Sequence, residues 1–313
     1  MAVTPTPKEK DLFGVASEIE TPIEVELFGD EIKNSVNTET KERWHYIGLL
    51  ALPTSRKPGL LERLLPCRGD CDSEIKASDL GHSPKRRTAE RWLDVLLKDH
   101  QHRSIFVSIV GLNVSLLNKA AFGGDRFDHI YNRFFRTCIA SGCKRFFGQS
   151  RVHVGQVWHD EGDLEHDDYF PWHSIFKLKD EQSLTFATNE IAFISSDHRD
   201  VRGCPESHLI QFLDLFMGLT KQLLDDTSRK APHCDTARIL CPLVQRMMNA
   251  PFNPNSRYGY MNKYVISFFP SRPLTDEEIA DPVQRATSRF YTSRPLLQIE
   301  RESGQEYLFG SSH

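Results

Sequence analysis

The segment that most constrains the fold is "SHLIQFLDLFMGLTKQLLDD", from Ser207 to Asp226. Its length and periodicity predict a single long helix. Projected at about 100° per residue, the helix is apolar over two thirds of its circumference. A helix of that kind lies mostly in the interior of a domain. Its remaining third is a polar stripe made of Ser207, Gln211, Asp214, Gly218, Lys221, Gln222 and Asp225.

Asp214 lies at the centre of this stripe. A solvated helix face usually carries Lys and Glu, which favour helices, whereas the central turn here has Gln, Asp and Gly. We therefore interpret Asp214 as facing a cleft, with Gly218 leaving space beside it for a ligand or for backbone. The alternative is an amphipathic helix whose polar face is exposed to solvent. A carboxylate in a cleft must be paired, protonated or bound to a metal.

Patterns elsewhere predict a mixed α/β protein. The stretch "IEVELF" from Ile23 alternates as a strand does and is followed by "GDE", and "RWHYIGLLAL" forms the second strand of a hairpin. Ser83 is predicted to cap one of the helices. Further strands are predicted at 104–112, 151–159, 190–195 and 263–270, and further helices at 59–65, 84–98 and 126–140. Strands interspersed with helices indicate a sheet flanked by helices.

The predicted organisation has three parts: a flexible leader (1–20), a core (21–226) and a C-terminal extension packed on it (227–313). The net charge of −4 provides no global attraction for polyanions, so a nucleic-acid partner requires a local basic face. No run approaches the ~20 apolar residues of a membrane span, and the N-terminus lacks a signal-peptide core. We predict a cytoplasmic protein without a membrane partner.

The seven cysteines show no disulfide framework, which favours reduced thiols. Cys67 and Cys71 form one close pair, and Cys138 and Cys143 form another. Neither pair has the matching second pair that a closed zinc site requires. A structural zinc site is therefore disfavoured.

Three carboxylates are placed by the predicted strands and the long helix. Asp30, with Glu31 beside it, follows the first strand, Asp160 follows the strand at 151–159, and Asp214 lies on the helix. Carboxylates that converge from strand ends and a helix are the parts of an oxygen-ligated Mg²⁺ or Mn²⁺ site. Two metals held in this way can activate water and stabilise the leaving oxygen in phosphodiester cleavage. We therefore predict Asp30, Asp160 and Asp214 as metal ligands.

The motifs around these acids resemble a bacterial family called domain of unknown function 3800. The resemblance spans roughly residues 23–225, with a further match at "SFFPSRPLT" (267–275). The most specific block is "ISSDHRD" followed by "SHLIQFLDLFMG". The other matching motifs are the "DE" of the first strand, "WHYIGLLALP", "EIKASDL" and "VWHDEGD".

The resemblance implies a ribonuclease H-like fold, in which a mixed sheet is flanked by helices, here with a C-terminal elaboration. It also implies a metal-dependent nuclease, active in anti-phage defence or a mobile element, with nucleic acid and a protein from the same operon as partners. By motif, Asp30, Asp160 and Asp214 form the acidic set. Glu31, Glu74, Lys76, Asp197 and Gln211 surround it, with Glu31 and Glu74 as supporting acids and Lys76 and Gln211 near the substrate.

One position departs from the family. Ile32 stands where a small hydroxyl residue is usual after the "DE". This substitution favours an alternative, a catalytically weak or inactive module that binds nucleic acid or protein and is activated by a partner.

Two further clusters have a functional and a structural interpretation. Arg126, Arg133 and Arg136 share one face of the helix at 126–140, which could track a phosphate backbone or could simply be solvated. His159, His166 and His173 are seven residues apart in an acidic stretch. They indicate either an acidic surface loop, the interpretation we favour, or metal binding or a general base beside Asp160. His198 is a second candidate proton shuttle.

Overall fold

The computed structural model describes residues 21–99, 102–118, 127–148, 150–161, 173–181, 184–201, 203–249, 263–280 and 290–309. The predicted leader, 1–20, lies outside these ranges. The strands are β1 (Ile23–Val36), β2 (Arg43–Pro53), β3 (Phe106–Asn113), β4 (Val152–Asp160), β5 (Leu184–Phe186), β6 (Ile191–Ile194) and β7 (Tyr264–Phe269). The helices are α1 (Lys57–Leu64), α2 (Ser83–Leu97), α3 (Phe127–Phe147), α4 (His173–Phe176), α5 (Leu178–Glu181), α6 (Glu206–Asp225), α7 (Ala231–Asn249), α8 (Asp276–Ala280) and α9 (Leu297–Phe309).

The strands form one mixed sheet in the order β5-β4-β1-β2-β3-β7, with β6 also paired to β4. Strands β1, β2 and β3 form an antiparallel meander. Strand β4 lies parallel to β1, and β7 lies parallel to β3. The prediction of a mixed α/β protein with a sheet flanked by helices is confirmed.

The first hairpin differs from its prediction. Strand β1 does not end at "GDE" but continues to Val36, so Asp30 pairs with Gly48 inside the strand. The turn comes later because the side chain of Asn37 closes it, with its Oδ1 accepting hydrogen bonds from the backbone N–H groups of Glu39 and Thr40. The β1–β2 ladder continues before and after Asp30, through the pairs Gly29–Leu49 and Glu31–Ile47, which fixes its backbone more firmly than a strand end would.

The sheet has a separate apolar core on each face. Helix α6 packs on β1 and β2 from one side, together with α2 and α7, and buries Phe28. Helix α3 packs on β2 and β3 from the other side and buries Val25 and Leu27. Because strand residues alternate between faces, the even-numbered residues of β1 up to Ile32 face α6 and the odd-numbered residues in the same part of the strand face α3. The register shifts between Ile32 and Ser35, and Ser35 faces α6.

Helix α6 lies in the interior, as predicted. The polar residues Gln211, Gln222 and Asp225 of its stripe are all buried, so the solvent-exposed alternative is wrong. A Cβ added at Gly218 would clash with the side chain of Ala77, so the absence of a side chain there allows the chain at 77–79 to approach α6. The space predicted beside Gly218 is therefore taken by another segment of the protein.

Two helix ends also differ from prediction. Helix α2 begins at Ser83, so Ser83 is the first helical residue and not the cap. Its hydroxyl accepts a hydrogen bond from Arg87 Nη1 (2.9 Å) instead of capping the backbone. Helix α3 extends to Phe147 and ends before Gly148, whose φ is 64°. Gly142 lies inside the helix, where the absence of a side chain allows close packing on Leu49 and Ser108 of the sheet.

The described residues after 226 contribute β7 to the sheet, and α7 to the core around α6. Helix α7 was not predicted. A buried ion pair holds the segment before α9: Arg294 Nη2 lies 2.9 Å from Asp225 Oδ1. The same guanidinium stacks 3.7 Å from the ring centre of Trp44 and donates to Tyr46 Oη (2.8 Å). The C-terminal segment is thereby joined to β2 and α6.

Two negative expectations concern membranes and zinc. Of the helices in the described ranges, none has both the length and the apolar character needed to cross a membrane. All seven cysteines are free thiols, Cys67 and Cys71 among them.

Candidate acidic site

Three predicted acids come together on the α6 side of the sheet. Asp30 lies on β1, and Asp160 is the last residue of the neighbouring parallel strand β4. Their side chains share a face with Phe28 and Trp158, whose rings stack with centroids 6.3 Å apart. Asp214 approaches from α6 and raises the pKa of Asp30 through its charge. We refer to Asp30, Asp160 and Asp214, with Glu74 beside them, as the acidic site.

The carboxylates of the acidic site are held in an environment that disfavours their charge. Burial, and then the charges of Asp214, Glu31 and Asp160, raise the pKa of Asp30 well above its ordinary value. Burial raises the pKa of Asp214 to about 7, with Asp160 and Glu74 adding to the rise and Lys76 opposing it. Burial also raises the pKa of Asp160 to about 6. Burial and the proximity of like charges both raise the pKa of a carboxyl group.

Ser196 and Gln211 hold the site in place. The Ser196 backbone N–H donates to Asp160 Oδ1 (3.1 Å), and its hydroxyl donates to Glu74 Oε1 (2.5 Å). Gln211 donates through Nε2 to the Ser196 carbonyl and accepts at Oε1 from the Ile75 N–H (3.1 Å). Gln211 is buried with both ends of its amide engaged, so its position is that of a support for the site and not of the predicted substrate contact.

The nearest compensating charge is Lys76. Its Nζ lies 3.0 Å from Glu74 Oε2, and its side chain is 46% exposed. Among the described residues, no Lys or Arg forms an ion pair with Asp30 or Asp214. Lys76 is thus placed beside the acidic site with access to solvent, and its contact with a substrate stays a prediction.

The chemistry of the acidic site fits a hard divalent cation. Its donors are all carboxylate oxygens, and their mutual repulsion favours a positive ion between them. Within the described ranges, no three His, Cys, Asp or Glu side chains form a group that could by itself hold a metal ion. Mg²⁺ does not require such a group, because it is normally bound through one or two carboxylates with water and phosphate oxygens completing its shell.

Glu31 lies on the opposite face of the sheet, because adjacent strand residues alternate. Its Oε2 is 3.6 Å from His159 Nε2, and its Oε1 is 3.4 Å from Lys33 Nζ. Its charge still raises the pKa of Asp30 and of Asp160, so Glu31 acts on the acidic site through the sheet. It does not share the pocket of the three aspartates.

His159 is a core residue, and the prediction that it lies in a surface loop is wrong. Its Nδ1 donates to the Asp160 carbonyl (2.8 Å), and its Nε2 lies 2.6 Å from Tyr131 Oη. Burial lowers the pKa of His159, which keeps the imidazole neutral with its proton on Nδ1. His166 and the side chain of His173 lie outside the described residues.

The predicted basic face is separate from the acidic site. Arg133 and Arg136 lie on α3, which covers the opposite face of the sheet from Asp214. Arg126 lies outside the described residues. Contact of these arginines with a substrate stays a prediction.

Sequence reasoning missed Arg68 and Ser196. Ser196 belongs to the "ISSDHRD" motif but has no charge to mark it. Arg68 lies in a 3-10 turn at 65–68 with no periodic pattern, yet it donates to Gln211 Oε1 (3.1 Å). The site therefore continues from the carboxylates into a second group of polar residues.

The raised pKa values predict how stability depends on pH. The folded protein keeps protons on Asp160 and Asp214 up to about pH 6 and 7, whereas the unfolded chain releases them near pH 4. Stability should therefore fall by several kcal/mol as pH rises from about 4 to 7. Urea denaturation in a chelator at pH 5 and pH 8 measures this fall. The double variant Asp160→Asn, Asp214→Asn should show a smaller fall than wild type, and an equal fall would contradict the assignment.

Comparison with known proteins assigns no family: no protein-family model matches the chain, and no curated protein matches it. The resemblance to the domain of unknown function 3800 family therefore depends on the quoted motifs alone and stays a prediction.

Proposed function

We propose that this protein is a divalent-cation-dependent nuclease of ribonuclease H-like type, which hydrolyses phosphodiester bonds in nucleic acid. The observation that carries the proposal is the convergence of Asp30, Asp160 and Asp214 from β1, β4 and α6 on one face of the sheet. Burial raises the pKa of all three carboxylates, and the charges of Asp214 and Asp160 raise that of Asp30 further. In the described part of the chain no lysine or arginine is paired to Asp30 or Asp214, which favours a cation as the physiological partner of these acids.

The sheet supports the fold assignment. A meander of three antiparallel strands is extended by strands parallel to its first member, and helices cover both faces. This is the sheet expected of a ribonuclease H-like protein. Asp30 and Asp160 lie on two adjacent strands of the sheet, β1 and β4, and Asp214 lies on the helix α6 that covers them.

In this proposal Asp30, Asp160 and Asp214 would hold Mg²⁺ or Mn²⁺. The ion, when bound, would lower the pKa of a water nucleophile and stabilise charge on the leaving oxygen. Ser196 fixes the orientation of Asp160 by donating to its Oδ1. Lys76, half-exposed beside the carboxylates, is placed to contact a substrate phosphate.

Ile32 favours a second candidate function. Ile32 is partly buried and packs against the core on the α6 side. Its side chain has no hydroxyl group to offer at the position after the "DE". A protein with this change could retain binding to nucleic acid or to a partner protein while losing turnover. A role in phage defence or in a mobile element is compatible with both functions, and it is proposed from the family resemblance alone.

The test is a cleavage assay on labelled single- and double-stranded DNA, RNA and DNA–RNA hybrid. With Mn²⁺ or Mg²⁺ the wild type should cleave at least one of them, and chelator should stop the reaction. Asp30→Ala is the control for contaminating nucleases, and equal cleavage by this variant would remove the case for catalysis. Binding without cleavage by wild type would support the second function.

A further inference from the structure

A second group of polar residues borders the acidic site, next to the start of α6. It surrounds a cavity of about 680 Å³ whose lining includes Asp72, His198, Arg199 and His208. We refer to it as the imidazole pocket. Gln211 and Ser196 connect it to the acidic site, because Gln211 lies 3.3 Å from His198 Nδ1 and also donates to the Ser196 carbonyl.

Arg68 lies behind the two imidazoles as a buried positive charge. Its side chain stacks over Trp92, with its guanidinium carbon 5.5 Å from the ring centre, and it donates to the Ser73 carbonyl (2.6 Å). In the described part of the chain, no carboxylate forms an ion pair with Arg68. The carboxylates of Asp72 and Asp197 act on this guanidinium from a distance, but neither forms the direct pair that is usual for a buried charge.

Arg68 also fixes the proton positions of both histidines. Its Nη1 lies 3.3 Å from His208 Nδ1, and its Nη2 lies 3.3 Å from His198 Nδ1. A guanidinium has only donors, so both Nδ1 atoms must accept. Each neutral imidazole therefore has its proton on Nε2, and the pocket is lined by two N–H groups that are polarised by the charge behind them.

The two N–H groups are used unequally. His198 Nε2 lies 3.2 Å from Oδ1 of Asp72, whose side chain is 90% exposed. His208 is only 9% exposed, and its Nε2 has no hydrogen-bond partner among the described residues. Because His208 lines the cavity, this N–H is open to an acceptor on a ligand that enters it. The partner of His198 Nε2–H is therefore a carboxylate, which shows that this position of the pocket binds an oxyanion.

We propose that the imidazole pocket binds a phosphate group, with the Nε2–H groups of His198 and His208 donating to its oxygens and Arg68 supplying the positive charge. The carboxylate of Asp72 competes for the same place and moves aside when phosphate binds. This phosphate belongs to a nucleotide that flanks the bond cut at the acidic site, an assignment that rests on the proposed function.

Isothermal titration with inorganic phosphate in a chelator tests the pocket. Asp72→Asn should bind phosphate about two- to fivefold more tightly than wild type, the scale of one exposed ion pair. His208→Leu should bind about tenfold or more weakly, as expected for a lost hydrogen bond to a charged group. His153→Leu, a partly exposed histidine on β4, is the matched control and should bind like wild type.

Asp72 is exposed, so Asp72→Asn keeps the test valid if His208→Leu does not fold. Absence of phosphate binding by both wild type and Asp72→Asn overturns the proposal, as does wild-type affinity in a folded His208→Leu. Asp214→Asn should bind phosphate at least as well as wild type, which separates this pocket from the acidic site. A 5′-phosphorylated dinucleotide that binds more tightly than inorganic phosphate identifies nucleic acid as the source, and equal affinities identify free phosphate.

Discussion

Replacing Asp214 by asparagine is expected to lower the rate of Mn²⁺-dependent phosphodiester cleavage by about 10³-fold while making the metal-free protein more stable. A loss of about 10³-fold corresponds to about 4 kcal/mol of transition-state stabilisation, which is the scale of charge stabilisation by a bound metal. The gain in stability follows because asparagine keeps the shape of aspartate and removes a charge that Asp160 and Glu74 repel. Single-turnover cleavage and urea denaturation at pH 8 in chelator measure the two effects.

We expect the gain in unfolding free energy to be on the order of 1–3 kcal/mol. The matched control is Asp94→Asn, since Asp94 is exposed on α2 in an ion pair with Lys98 (2.7 Å). This control should leave the cleavage rate unchanged and alter stability little. An Asp214→Asn protein that is destabilised and cleaves at the wild-type rate would show that Asp214 has a structural role only.

Replacing Arg294 by methionine is expected to lower the free energy of unfolding by about 3–5 kcal/mol. Arg294 and Asp225 are both buried, and removing the guanidinium leaves the Asp225 carboxylate without its cation. Ser35 and Tyr46 would still donate to Asp225 Oδ2, at 2.6 and 2.7 Å, but neither carries a positive charge. The stacking of Arg294 on Trp44 would be lost as well.

Chemical denaturation of wild type and Arg294→Met measures this loss. Arg272→Met is the matched control, because Arg272 also lies in the C-terminal part but pairs with Glu278 at the surface (2.9 Å). The control should unfold at nearly the wild-type denaturant concentration. A small effect in both variants would mean that the segment around Arg294 contributes little to the stability of the core.

The three aspartates could be predicted because each stands in a regular element. The long helix of 20 residues fixes the direction of Asp214 through its apolar surface. Asp30 and Asp160 were predicted just after strands, and the structure places both within strands, Asp160 as the last residue. Strand alternation predicts that Glu31 points away from Asp30, but the shared "DE" motif led us to group them. The end of β1 could not be located from the sequence, because the turn depends on the side chain of Asn37 bonding to backbone beyond the "GDE".

The imidazole pocket could not have been predicted in the same way. Arg68 comes from a short turn, while His198 and His208 come from residues that follow β6 and begin α6. Contacts between residues so far apart in the chain leave no local pattern. Helix α7 was missed for a different reason, since Pro242 lies inside it and normally argues against a helix.

The central claim is that Asp30, Asp160 and Asp214 together bind a divalent cation, and Mn²⁺ titration followed by electron paramagnetic resonance tests it most directly. The signal of free Mn²⁺ should decrease when wild type is added at pH 8. Asp30→Asn and Asp214→Asn should each bind at least about tenfold more weakly, whereas Asp235→Asn, an exposed control on α7, should bind like wild type. Equal binding of Mn²⁺ by all four proteins would contradict the account.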